Sequence, residues 1–154
     1  SLTLDLAEKT LPNGHVYSVD SVSVSVVSLQ RKLQESSIIN VTVIHDEHQV
    51  NRVYPGVPSV DIVVSVHMLA HIQDLKKVLH EMHSLLPEGG RVCFKDIRDI
   101  FKVLPNVGWV ADPEKVVEIL HEVGFSAGIK RKKGIFWNDL YIYAIKSKDI
   151  VPLV

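Results

Sequence analysis

Between Ser59 and Asp96 the chain runs through an apolar stretch, a histidine-bearing segment, an amphipathic stretch, the turn Pro87-Glu88-Gly89-Gly90 and a second apolar stretch. Nothing else in the sequence restricts the fold as much. Val60 to Val66 is apolar on both faces, as in a strand buried between layers, and Arg91 to Phe94 follows as a second strand after a helix-length interval. Strand, helix and strand in that order predict a parallel crossover unit. Such a unit implies an α/β core whose ligands collect at the carboxyl ends of the strands.

The flanking segments carry their own punctuation. Asp74 can cap a helix through Leu75, Val78, Leu79, Met82 and Leu86, whose spacing marks one buried face. Asp112-Pro113 opens another, with Asp as cap and Pro in the first turn, running through Val116, Val117, Ile119, Leu120 and Val123 to a stop at Gly124. Pro55-Gly56-Val57-Pro58 is a turn cluster. Asp149 to Val154 reads as a fraying end.

Five pieces in order then carry a family resemblance. Asn13-Gly14-His15-Val16-Tyr17-Ser18-Val19-Asp20 looks like a strand ending in an acid, and Asn40-Val41-Thr42-Val43-Ile44-His45-Asp46-Glu47 like the next strand and its loop. Val-Asp-Ile-Val-Val-Ser from Val60, then Leu69-Ala70-His71-Ile72-Gln73-Asp74, then Leu85-Leu86-Pro87-Glu88-Gly89-Gly90-Arg91-Val92 complete the set. In this order and spacing they resemble class I S-adenosylmethionine-dependent methyltransferases, in particular the branch acting on small molecules, from about residue 2 to about residue 146. The resemblance implies one Rossmann-like domain over residues 1–154, mostly parallel, with a C-terminal antiparallel hairpin from Ala127 to Arg131 and Leu140 to Ile145. It also implies a helix over Ser21 to Gln34, where Ser-Val-Ser-Val alternation argues for a strand while Val22, Val26, Leu29 and Leu33 fall at helical spacing.

The family's Gly-x-Gly-x-Gly loop, which lets backbone approach the cofactor closely, does not occur in these residues. Two registers account for that. In the first, Ser1 to Lys9 is the helix that follows such a loop, with Leu2, Leu6 and Ala7 on one face, so the first strand is missing from these residues. In the second, Leu2 to Leu6 is itself a shortened first strand. Only Ala7 to His15 would then link two parallel strands, fewer than the roughly ten to twelve residues such a crossover needs. The first register is preferred. It leaves two inner sheet edges to be closed by direct pairing, by rearrangement or by a partner chain or second copy.

Composition narrows the class. The 154 residues are 46% hydrophobic, enough for a sizeable core, and 17 basic against 18 acidic residues name no polyanionic partner. The single cysteine, Cys93, reads as a small apolar core residue and fits a reducing compartment. No apolar run reaches the ~18 residues of a membrane helix and the start lacks a signal peptide's regions, so the expectation is a cytoplasmic protein.

Asp20 is the most interpretable site residue: a carboxylate closing a parallel strand can accept from both ribose hydroxyls, or it can cap the following helix. The resemblance adds Ser21 beside it, Asp46 and Glu47 against the adenine, and Ser65 at the rim of the Val60–Val66 strand, all toward S-adenosylmethionine. Asp46 and Glu47 can equally be a solvated loop. His67 and His71 follow that rim, where a neutral imidazole can take a proton from a nucleophile; for His71, packing under the next helix is the simpler reading. Their i, i+4 spacing lacks a third ligand, and His45-Asp46-Glu47-His48 cannot converge as a tetrahedron, so no metal site is expected. Ser65-Val66-His67-Met68 departs from the Asn/Asp-Pro-Pro-Tyr motif of amino-methylating relatives.

His80 and His83 read as a solvated helix face. Lys130-Arg131-Lys132-Lys133 with Phe136, Trp137 and Tyr141 can bind a phosphate backbone, but a solvated hairpin tip is favoured over nucleic acid. Trp109, after Pro105-Asn106-Val107-Gly108, either lines a substrate pocket or covers the core.

Overall fold

The computed structural model describes residues 1–100, 108–135 and 137–154. Phe136 and the segment Pro105 to Val107 lie outside the described residues. The chain divides into two compact units, residues 1–49 with 54–57, and residues 50–53 with 58–154.

In the first unit, helix α1 spans Leu2–Lys9, strand β1 Val16–Asp20, helix α2 Ser23–Glu35 and strand β2 Val41–His45. Leu2 to Leu6 is therefore helical, as the first register requires, and the shortened-strand alternative fails. The strands β1 and β2 pair in parallel, with Asp20 opposite His45. Helix spacing prevails over the period-2 pattern in α2, because its apolar positions serve different surroundings: Val26 and Leu33 are buried, while Val24 and Val27 stay exposed. Asn40 ties the unit together. Its amide nitrogen reaches the carbonyls of Ala7 at 2.8 Å and Gly14 at 3.2 Å, joining the end of α1 to the entry of β1 and β2.

The second unit holds strand β3 (Ile62–Val66), helix α3 (Leu75–Leu85), strand β4 (Arg91–Ile100), helix α4 (Pro113–Val123), strand β5 (Phe125–Lys133) and strand β6 (Trp137–Lys146). Its sheet order is β3-β4-β6-β5, parallel between β3 and β4 and antiparallel elsewhere. The expected caps form: Asp74 accepts from the Lys77 amide and Asp112 from the Lys115 amide. Gly124 ends α4 in the left-handed region at φ 116, a conformation that favours glycine. Leu75, Val78, Leu79 and Met82 of α3 and Val116, Ile119, Leu120 and Val123 of α4 pack with Val92, Phe94, Leu140 and Ile142 of the sheet. This is the core.

Five expectations need correction. The strand β4 runs six residues beyond Phe94, since pairing with β6 continues to Ile100. His83 is no solvated residue: its ring packs edge-on against Phe125 at 5.1 Å, and burial first, then the Lys146 charge, lowers its pKa. His71 does not pack under α3 but is exposed. Residues 149–154 do not fray, because Leu153 donates to the Ala127 carbonyl at 2.9 Å and Pro152 bridges Ala127 along the outer edge of β5. Cys93 is half-buried rather than fully buried, and burial raises its thiol pKa.

Candidate functional site

The carboxyl ends of the two parallel pairs carry the predicted site residues, each pair within its own unit. In the first unit, the Asp46 amide donates to the Asp20 carbonyl at 3.1 Å, which extends the β1–β2 ladder one step past the strands. Asp20 is half-buried and its Oδ1 accepts from the Val22 amide at 2.8 Å. Among the described residues nothing bonds its other oxygen. One oxygen of Asp20 thus closes a turn onto the Val22 amide ahead of α2, whose N-cap, Val22, receives no side-chain bond.

Asp46 is 4% exposed. Its Oδ1 accepts from the His48 amide at 3.1 Å, a local turn that fixes the loop after β2. Glu47 is exposed beside it. Ser21 is held at both backbone ends: its amide donates to Gln49 Oε1 at 3.1 Å, and its carbonyl meets His45 Nε2 at 3.1 Å. Gln49 also donates from Nε2 to the Val19 carbonyl at 2.7 Å. Sequence reasoning missed Gln49. Its signal was weak, because a glutamine four residues past a strand has no local reason to reach back to another strand.

In the second unit, Ser65 is buried on β3, and its hydroxyl has no hydrogen-bond partner among the described residues. His67 follows with φ 57, and its amide donates to the Lys95 carbonyl at 2.8 Å. A non-glycine residue in that region is uncommon and marks a sharp turn. Both His67 and His71 expose their imidazoles. Two of the expected groups, then, stand in solvent at the end of β3.

Asp96 is the second residue the sequence reading missed. It is 3% exposed, one carboxylate oxygen has no partner among the described residues, and burial raises its pKa to about 6 against the opposing Leu69 amide. Val92, Phe94 and Asp96 share the inward face of β4, so the pleat carries a carboxyl to the end of the apolar row. The alternation was the available signal.

Elsewhere, Lys130 to Lys133 are exposed on the outer half of β5, and Arg131 pairs with Glu114. Trp109 packs on the core with its indole donating to the Ile72 carbonyl at 3.0 Å, so it covers the core. Among the described residues no group of three metal-binding side chains converges, and no helix is long and apolar enough to cross a membrane.

Parallel strand pairs linked by helices, an acid closing β1 and a C-terminal antiparallel hairpin define a Rossmann-like α/β fold of the methyltransferase type. The chain belongs to the methyltransferase-domain family, whose model matches residues 1–132. It is similar in fold to a SAM-dependent methyltransferase from Aquifex aeolicus, at 19% identity over 93% of this chain and 74% of that one, with a TM-score of 0.73. A methyltransferase from Pyrococcus furiosus aligns at 16% identity over 96% and 70% of the two chains, TM-score 0.68. The [4+2]-cyclase SpnF aligns at 12% identity over 94% and 70%, TM-score 0.70. No curated protein matches the chain.

Proposed function

We propose that the chain is an S-adenosylmethionine-dependent methyltransferase, or the C-terminal portion of one, acting on a small-molecule acceptor as a single domain in the cytoplasm. The observation that carries this reading is Asp20: a half-buried carboxylate closing a parallel strand, with one oxygen committed to the protein and the other unclaimed. That spare acceptor fits a ribose hydroxyl. Asp46 and Glu47, the two residues after β2, are the acidic groups assigned to the base amine, Glu47 exposed and Asp46 buried with its Oδ1 accepting from the His48 amide. When bound, S-adenosylmethionine supplies an electrophilic methyl group.

Methyl transfer asks little of the protein beyond alignment and, for a protonated nucleophile, a base. The exposed imidazoles of His67 and His71 can take that proton, and Ser65 lies on the strand that leads to them. The departure of Ser65 to Met68 from Asn/Asp-Pro-Pro-Tyr speaks against amino groups of adenine or glutamine as acceptors and for a small molecule.

Calorimetry with S-adenosylhomocysteine tests the reading on the 154-residue chain and its Asp20→Asn variant. Asn keeps the oxygen that accepts from Val22 and removes the charge, so binding should weaken about tenfold, the worth of one charge-assisted hydrogen bond. No heat at millimolar ligand for either chain would replace the enzyme with a noncatalytic, partner-binding member of the fold.

A further inference from the structure

The carboxamide of Gln49 lies against the edge of β1 that faces away from β2. Strand alternation shows this directly. On the β2 side the Val16 amide donates to Asn40 and the Asp20 carbonyl accepts from Asp46, so the even-numbered residues of β1 serve that ladder. Val19 and Ser21 point the other way, and there Gln49 gives Nε2 to the Val19 carbonyl at 2.7 Å and takes the Ser21 amide on Oε1 at 3.1 Å. One planar amide thus fills a donor–acceptor pair that a neighbouring strand or a flat heterocycle would otherwise use.

Val19 and Ser21 flank Asp20 in the chain. A nucleoside held by its ribose on Asp20 has a purine whose ring nitrogens accept hydrogen bonds, and the Ser21 amide is the next backbone donor along the chain. In the structure that donor is spent on Gln49. The backbone of Gln49 is anchored as well, with its amide donating to the Asp46 carbonyl at 3.0 Å, so the side chain can swing while the residue stays in place.

We propose that Gln49 is an internal competitor for the purine: its carboxamide closes the β1 rim in the free protein and swings out when a nucleoside binds. This rests on the cofactor reading above. The closed form lowers apparent affinity in proportion to the fraction of chains that are open. Removing the carboxamide should then tighten binding, although it removes two hydrogen bonds from the free protein.

The experiment compares S-adenosylhomocysteine binding by calorimetry for the natural chain, Gln49→Ala and Gln49→Met, with amide exchange at Ser21 read by NMR. Met keeps the length of the side chain and withdraws both hydrogen bonds, which covers a failure of the Ala variant to fold. The expected result is binding about tenfold tighter in a folded variant, with about one chain in ten open in the natural protein. Faster Ser21 exchange in the free variant should slow again on adding ligand. Equal or weaker binding by the variants, with the natural chain binding, overturns the proposal and makes Gln49 a supporting residue. No binding by any of the three chains, with Ser21 exchange faster in the variants, overturns the nucleoside reading itself and with it this role.

Discussion

The imidazole of His83 takes the space that a side chain on Gly124 would need: a Cβ there would meet Nε2 at 2.7 Å. Gly124 also carries φ 116 at the end of α4, where L side chains are strained. Steric contact and backbone therefore demand glycine independently. Gly124→Ala should cost about 2 kcal/mol, read as a lower urea midpoint. The double variant with His83→Ala should recover the contact part but not the backbone part. A double variant no better than the sum of the singles would show that the ring and the glycine are not coupled.

Asp96 makes stability depend on pH with a sign opposite to most carboxylates. Its folded pKa of about 6 lies above the unfolded value near 3.8, so between those two the folded chain keeps a proton that the unfolded chain has released. The stabilisation is full below about pH 4 and is lost as pH rises through 6, to the extent of about 2 kcal/mol once residual solvation is allowed for. His83 acts in the other direction, since its lowered pKa favours the neutral ring and its contribution is lost as pH falls. Asp96→Asn should remove the first slope alone. Urea melts from pH 4 to 8 should show the variant gaining on the natural chain up to about pH 6.5 and then running parallel to it. A difference that stays constant with pH would show that Asp96 is ordinary.

These residues also show how far the sequence reaches. Caps at Asp74 and Asp112 and the apolar faces of α3 and α4 are local, so both helices and the parallel unit between them were legible. The acid at Asp20 was legible for the same reason, because strand end and acid adjoin in the chain. Asp96 escaped since β4 was ended at Phe94; its last six residues are held by β6, some forty positions away, and no local pattern announces that. His83 and Gly124 meet only through the packing of α3 on α4. Gln49 belongs to the same class, reaching back 30 residues to Val19.

Asn40 should be the most sensitive polar residue of the first unit. Its Nδ2 is shared among Ala7, Gly14 and Thr10 Oγ1, the last at 3.3 Å. Replacing it by Ala leaves two carbonyls without that donor and should cost about 1–3 kcal/mol. Asp is of equal size but turns a carboxylate toward oxygen acceptors, so it should be worse than Ala. The order natural chain, Ala, Asp in thermal midpoint checks the argument, and Asp equal to the natural chain would contradict it.

The final residues guard the open edge of β5. Ser126 Oγ accepts from the Val151 amide at 3.0 Å, Leu153 donates to Ala127, and a Cβ on Gly128 would lie 2.3 Å from the Leu153 carbonyl. A larger residue at 128 therefore cannot coexist with the docked tail. An exposed strand edge is a template for pairing with other chains, and a docked segment removes it. Gly128→Val should release the tail, speeding exchange at the Leu153 amide by about tenfold or more as that bond opens freely. The released edge should then promote self-association at high concentration, measurable by light scattering. Unchanged Leu153 protection in the variant would mean that the tail is held by something other than the fit against Gly128.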